Sequence, residues 1–231
     1  MWLKANLHFH TNDDPKENIP YSIYQGIDWA AHWGFQVIGL TCHQKFVNVP
    51  KYCDYARRKG ILLIPGIEAN IKEKDVWWSG GRHVGILNPD SKIEQVHTFS
   101  QLAEYKKSHP EILIIANHPY FFSCLHSLGH FLEKYIDIFD AIELSWFYTK
   151  EIDFNRKAKK IAQKFNKPMI ATSDTHFLEY MNRSYALLEV ENKTVESVIN
   201  AVKQGKISNR LSPLSSNLEL AKIYLRYLVC L

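Results

Sequence analysis

The chain has 231 residues, 46% apolar and 23% charged, with a net charge of +4; this is ordinary globular composition, long enough for one barrel-sized domain or two small ones. No apolar run approaches the ~20 residues that cross a bilayer. The segment before His8 has no signal-peptide core and four scattered Cys argue against a disulfide scaffold, so a soluble cytoplasmic protein is expected. The charge is too mild to point to nucleic acid, and the anomaly is eleven His.

Trp2 to Phe9 alternates as a strand and runs into His-Phe-His, and Tyr21 to Trp33 has helical spacing closed by Gly34. Gln36 to Thr41 reads as a buried strand, Pro50 to Lys59 as a helix, and Ile61 to Ile67 as a strand interrupted by Pro65-Gly66. His83 to Leu87 and Ile112 to Ala116 are two further strands around a helix over Glu94 to Lys107. Ala141 to Ser145 and Met169 to Thr172 flank a long helix beginning near Lys150. Tyr185 to Val190, then helices near Val195–Lys203 and Leu218–Leu228, complete the chain. Such alternation predicts parallel strands with crossover helices, an α/β barrel or a doubly wound sheet. Polar Ser208 to Asn217 is the best boundary, giving a barrel over 1–210 and a C-terminal helix over 211–231. That helix, with Leu220, Ile223, Tyr224, Tyr227 and Leu228 on one stripe, is expected to pack on the barrel or to join copies of the chain.

The histidines follow this pattern. His8 and His10 end the first strand on one face, His43 follows the second, Glu68 the third, His118 the fifth, and Asp174 and His176 the seventh, while His83 opens the fourth. In a parallel barrel, strand ends at one rim are where sites assemble. Imidazoles and carboxylates converging there suit zinc, manganese or iron. His32, His97, His109, His126 and His130 fall in helices or loops and are left out of the site.

Leu7-His8-Phe9-His10-Thr11, Leu40-Thr41-Cys42-His43, Gly66-Ile67-Glu68, His83, Asn117-His118-Pro119 and Ser173-Asp174-Thr175-His176 resemble, in this order, the PHP (polymerase and histidinol phosphatase) family over Asn6 to about Tyr185. The resemblance implies a distorted (β/α)7, TIM-like barrel with two or three divalent metals at its C-terminal rim, and phosphoester hydrolysis. It implies a first metal on His8, His10, Glu68 and Asp174, a second on Glu68, His83 and His118, and a third on His43 and His176 with one more ligand. For that ligand the sequence offers Asp14 and, second, Asp13, in a segment that departs from the family pattern. Asn6 and Cys42 stand where the family commonly has Asp, at positions expected to support ligands; the alternative for Cys42 is a soft ligand, against which a continued strand would point its side chain away from that of His43.

The chemistry agrees with the resemblance. Two metals sharing a carboxylate and a hydroxide lower the pKa of bound water, and a third adds charge for phosphate oxygens. The expected substrate is a small phosphorylated metabolite, a nucleotide or a short oligonucleotide, with Glu68, Asp174, His176 and Arg183 as the catalytic set. Arg183, and Arg82 beside His83, are candidate phosphate clamps, and Trp77 or Trp78 a candidate roof over the substrate. The competing readings are an amidohydrolase-like C–N or C–O hydrolase and a metal-binding module without turnover. Lys157, Lys160, Lys164 and Lys167 recur at helical spacing and read as a solvated barrel face, so nucleic acid is unsupported as a partner, and nothing points to a membrane.

Overall fold

One nine-stranded sheet, in the order β7-β6-β5-β4-β3-β2-β1-β8-β9, organises the computed structural model, which describes residues 1–73, 81–121 and 126–230. The strands are β1 (Trp2–Phe9), β2 (Val37–Leu40), β3 (Leu62–Ile71), β4 (Arg82–Leu87), β5 (Leu113–Ala116), β6 (Ala141–Leu144), β7 (Met169–Ala171), β8 (Ser184–Glu189) and β9 (Ile207–Leu211). The helices are α1 (Ile23–His32), α2 (Pro50–Arg58), α3 (Phe99–Ser108), α4 (Phe131–Lys134), α5 (Asn155–Lys164), α6 (Val195–Lys203) and α7 (Asn217–Cys230). Trp77 and Trp78 lie outside the described residues.

The sheet curls into a nearly closed, distorted TIM-like barrel. At one rim Phe9 bridges Thr175, with His10 N–H donating to Thr175 O and Thr175 N–H to His8 O, both at 3.2 Å. On the β9 side, the Asn209 side chain ties β9 to β7: its Nδ2 donates to Met169 O at 2.9 Å and its Oδ1 accepts from Ala171 N at 2.7 Å. Leu3, Leu7, Ile64, Leu87, Leu113 and Ile170 form the interior cluster, which Val198, Ile199 and Val202 of α6 extend.

Between Asn6 and Phe9 the β1–β2 register slips, as a bulge does when one strand carries an extra residue. Leu3, Ala5 and Leu7 belong to the interior cluster, yet Phe9 packs outside, with Ile23 and Ile27 of α1. Gly26 permits that packing, since a Cβ there would fall 2.4 Å from Phe9 Cζ.

The sheet is mixed rather than parallel throughout. β4 runs antiparallel to both β3 and β5, and β8 runs antiparallel to both of its neighbours, β1 and β9. The physical reason lies in the connection: Ile71 pairs directly with Arg82, so β3 returns as a hairpin arm instead of through a crossover helix, which a parallel neighbour would need. Pro65-Gly66 does not interrupt β3; it marks where pairing passes from β2 at Leu62–Pro65 to β4 at Gly66–Ile71. The single helix read over Glu94–Lys107 is a short turn, Ser91–Gln95, followed by α3. Thr98 starts α3 with a reciprocal capping box to Gln101, which satisfies amide groups that the first helical turn cannot pair internally. The helix expected from Lys150 begins at Asn155. β9 occupies part of the stretch read as a boundary. Among the described residues no helix is long and apolar enough to cross a membrane.

Candidate metal centre

Every histidine and carboxylate read from the strand ends, apart from Asp14, points its metal-capable atoms into one cluster at the rim. His8 and His10 leave the bulged end of β1 with ring centroids 5.1 Å apart. His43 follows β2, and an isolated parallel bridge between His43 and Glu68 sets the glutamate of the longer β3 beside it. His83 opens β4, and because that strand runs antiparallel its first residues, not its last, reach this rim. His118 and Asp174 stand just beyond β5 and β7 with φ of 26° and 41°, left-handed backbone that L residues adopt at a cost and that recurs at functional sites.

Glu68 is the hub. Its Oε1 lies 3.3 Å from His8 Nε2, 3.3 Å from His83 Nδ1 and 3.2 Å from His118 Nε2. Its Oε2 lies 2.9 Å from His43 Nε2 and 3.6 Å from His10 Nε2. Asp174 Oδ1 is 3.2 Å from His8 Nε2 and 3.4 Å from His10 Nε2. Among the described residues, four triads have ligand atoms within 4.8 Å of one another: His8–His10–Asp174, His8–Glu68–His118, His43–Glu68–His83 and His10–His43–His176.

Burial alone would raise the Glu68 carboxyl and depress the imidazoles, but mutual attraction overrides it at most positions. Glu68 is held well below the usual carboxylate range by His83, His8 and His43 against the opposing effect of burial. His8 is likewise lifted well above its ordinary value by Asp174, Glu68 and Glu143, despite burial. His83 is the exception: burial carries it down to about 4, beyond what Glu68 restores.

Around the cluster stands a ring of orienting groups. His8 Nδ1 meets Glu143 Oε2 of β6 at 2.9 Å, and Asn117 Nδ2 donates to Glu68 Oε1 at 2.8 Å. Glu143 was not singled out from the sequence, although a carboxylate inside the otherwise apolar Ala141–Leu144 is a readable signal: it is fully buried and needs a partner. Asn6 accepts from Ser173 N–H and donates to Thr175 Oγ1, holding the turn that carries Asp174. Cys42 is packed in the outer core with Thr11 Oγ1 3.7 Å from its sulfur, belongs to none of the candidate ligand triads among the described residues, and has its thiol pushed up to about 12 by burial.

Two sequence expectations meet a different geometry. Asp14 Oδ2 accepts from Nδ1 of both His10 and His43, at 2.9 and 2.8 Å, so it grips the backs of these rings rather than their Nε2 faces. Glu17, three residues on, faces the cluster instead: its Oε2 is 2.7 Å from His176 Nε2 and its Oε1 3.8 Å from His43 Nε2. Asp13 accepts from Tyr52 and Thr11 hydroxyls. Arg183, expected at the substrate, pairs with Glu219 of α7 at 2.8 Å. Arg82 stacks its guanidinium 5.1 Å from the Phe131 ring centroid.

Comparison with known proteins agrees with this picture. A family model described as PHP-associated matches residues 153–207. The PolC-type DNA polymerase III of Streptococcus pyogenes is 38% identical over 73 residues, a stretch that is 32% of this chain but 5% of the polymerase. A two-domain protein from Bacteroides vulgatus, described as containing a PHP-like metal-dependent phosphoesterase, superposes with a TM-score of 0.66 at 18% identity, covering 98% of this chain and 70% of that one. The lesion-specific endonuclease Q of Pyrococcus furiosus gives 0.64 at 16% identity, covering 92% and 60%. The resemblance carried by the six sequence motifs is thus met by a family match in the C-terminal half and by the fold.

Proposed function

We propose that this PHP-like chain is a metal-dependent phosphoesterase that cleaves small phosphate esters at the Glu68 cluster. The observation that carries the reading is the single carboxylate whose two oxygens address five imidazoles. The donor set also suits a metal: among the described residues, the buried His10 Nε2, Glu68 Oε2 and Asp174 Oδ1 have no well-aligned hydrogen-bond partner, although His10 Nε2 is within 3.6 Å of both carboxylates. Buried polar atoms left this way are costly unless something else binds them.

His8, His10, Glu68 and Asp174 would hold one ion, and Glu68, His83 and His118 a second. His43 and His176 would hold a third, completed in our reading by Glu17 rather than Asp14. Bound ions would supply acidified water and neutralise phosphate charge. The chain's own residues position. Glu143 and Asp14 fix the rings of His8, His10 and His43 through their outward nitrogens, an arrangement that sets tautomer and raises ligand basicity. Asp174, at 21% the most exposed of the candidate ligands against 12% or less for the others, is the carboxylate nearest the solvent-facing side. Phosphoryl transfer asks mainly for such positioning and charge.

The test is elemental analysis of protein purified without chelators, followed by phosphate release from p-nitrophenyl phosphate and bis-p-nitrophenyl phosphate with Mn, Zn, Fe and Mg. Two or more equivalents of metal and turnover are expected. Less than one equivalent after reconstitution, or no phosphate release with any of the four metals, overturns the reading.

A further inference from the structure

Beside the cluster, α7 closes one side of a cavity of about 40 Å³. One wall is His118 and Asp174; the other is Phe121, Phe147 and Tyr227, with Trp146 behind, and Ser145, whose hydroxyl accepts from Phe147 N–H, also lines the cavity. The Tyr227 ring meets His176 edge-on at 4.8 Å, Phe177 at 5.4 Å and Phe147 at 6.2 Å. Its hydroxyl donates to the Asp174 carbonyl at 3.2 Å. The helix that carries it is anchored: Leu220 and Ile223 are buried against Trp146, Phe147 and Leu214, and Glu219 and Arg226 pair with Arg183 and Glu179. The wall is therefore part of the packed structure.

We propose that this cavity is the leaving-group subsite and that it selects phosphate monoesters bearing one apolar ring or a short hydrocarbon on the ester oxygen. The inference rests on the phosphoesterase reading above and narrows its substrate class. A phosphate held at His118 and Asp174 has its organic group directed along the adjoining wall, and that wall is aromatic. Among the described residues, no charged side chain other than the two candidate metal ligands lines it, so none of them rewards a charged leaving group. Edge-on aromatic packing of the kind already present around Tyr227 is what a ring in the cavity would extend. The volume corresponds to about three waters, the space of a single ring rather than of a nucleoside. A polynucleotide would need its chain to continue on both sides of the phosphate, and α7 stands across one of them.

The experiment is calorimetric titration of the Mn-loaded protein with phenylphosphonate and methylphosphonate, together with phosphate release from phenyl phosphate and methyl phosphate. In the wild type the phenyl ligand should bind at least about tenfold more tightly, the scale on which an apolar pocket discriminates by size. Tyr227→Ala should abolish that preference while methylphosphonate affinity stays within about twofold; Tyr227→Phe should keep it. Phe121→Ala, on the same aromatic wall but outside α7, repeats the test should Tyr227→Ala fail to fold. Equal affinities in the wild type, or an undiminished preference in the alanine variants, overturn the subsite and leave the phosphoesterase reading standing. Failure to bind either phosphonate and to cleave either ester overturns both.

Discussion

Oε2 of Glu17 lies 2.7 Å from Nε2 of His176, while Asp14, three residues earlier, spends its Oδ2 on the Nδ1 atoms of His10 and His43. Two carboxylates of one loop thus address opposite edges of the His43 ring, Asp14 at Nδ1 and Glu17 at Nε2, and their replacements should separate. Glu17→Gln should lose about one metal equivalent and leave thermal stability within about 1 kcal/mol. Asp14→Asn also strips charge from an acceptor that serves the amides of Lys16, Glu17 and His43. It should therefore lower the melting temperature of metal-free protein as well as metal content. Metal analysis and thermal unfolding of both variants check this; loss of metal with Asp14→Asn but not with Glu17→Gln would reverse the assignment.

Glu68→Gln should be the most damaging single substitution at the cluster. It keeps the volume but removes the charge that would be shared by neighbouring cations, whose repulsion is ~4 kcal/mol even for unit charges 4 Å apart at an effective dielectric near 20. At least one equivalent of metal should be lost, and phosphate release should fall by orders of magnitude. Full metal content with near-wild-type turnover would contradict the central role of this carboxylate.

Glu143→Gln tests the outer ring. The amide retains a hydrogen-bonding group opposite His8 Nδ1 but loses the charge, so metal affinity should weaken roughly 10- to 100-fold. Competition with a fluorescent chelator reads this directly, and unchanged affinity would show that His8 is oriented without it.

Arg183→Ala should behave as a surface change. Its partner Glu219 and the guanidinium are both partly exposed, 26% and 32%, so the cost should stay below about 1 kcal/mol. Metal content and the KM for p-nitrophenyl phosphate should not move. A large KM effect would return this arginine to the substrate.

The metal-free protein should lose stability as pH rises. His8 and His43, which burial alone would depress, are lifted well above their ordinary values by the carboxylates around them, Asp174 and Glu68 foremost for His8 and Glu68 and Asp14 for His43. Groups raised in this way stabilise fully below about pH 6.5 and lose that contribution as pH climbs through the folded-state value. Glu68 and Asp174 are depressed, so their contribution holds above about pH 4 and fades as pH falls. Chelator-treated protein should thus melt higher near pH 5.5 than near pH 8.5. Metal-loaded protein should show the opposite trend, because neutral imidazoles bind the ions. Melting curves of both forms at the two pH values decide it.

Much of this centre was readable because strand ends are periodic places. His8, His10, His43, Glu68, His118, Asp174 and His176 each follow an apolar run, and a barrel gathers such positions at one rim. His83 broke that pattern by preceding its run, which in retrospect signals the reversed strand β4. What escaped lies where no period operates. The loop after His10 is irregular, so its sequence does not encode whether Asp14 or Glu17 turns inward. Seven positions after His176 is likewise too far to fix the direction of Arg183. β9 (Ile207–Leu211) is a half-exposed strand of mixed polarity, without the apolar alternation that marks the others.

The hairpin of β3 and β4 leaves the barrel and re-enters it on the rim that carries the cluster, with Ile71 paired to Arg82 as its last rung. Whatever connects these arms can lengthen or change composition without shifting any strand register below it. The thermodynamic cost is only closure entropy, about 0.6 kcal/mol for each doubling of loop length. A reversed strand therefore gives this barrel a place beside its metal ligands where sequence is free to diverge. New substrate preferences could be acquired there by drift in one short stretch, while the residues that hold the chemistry stay fixed.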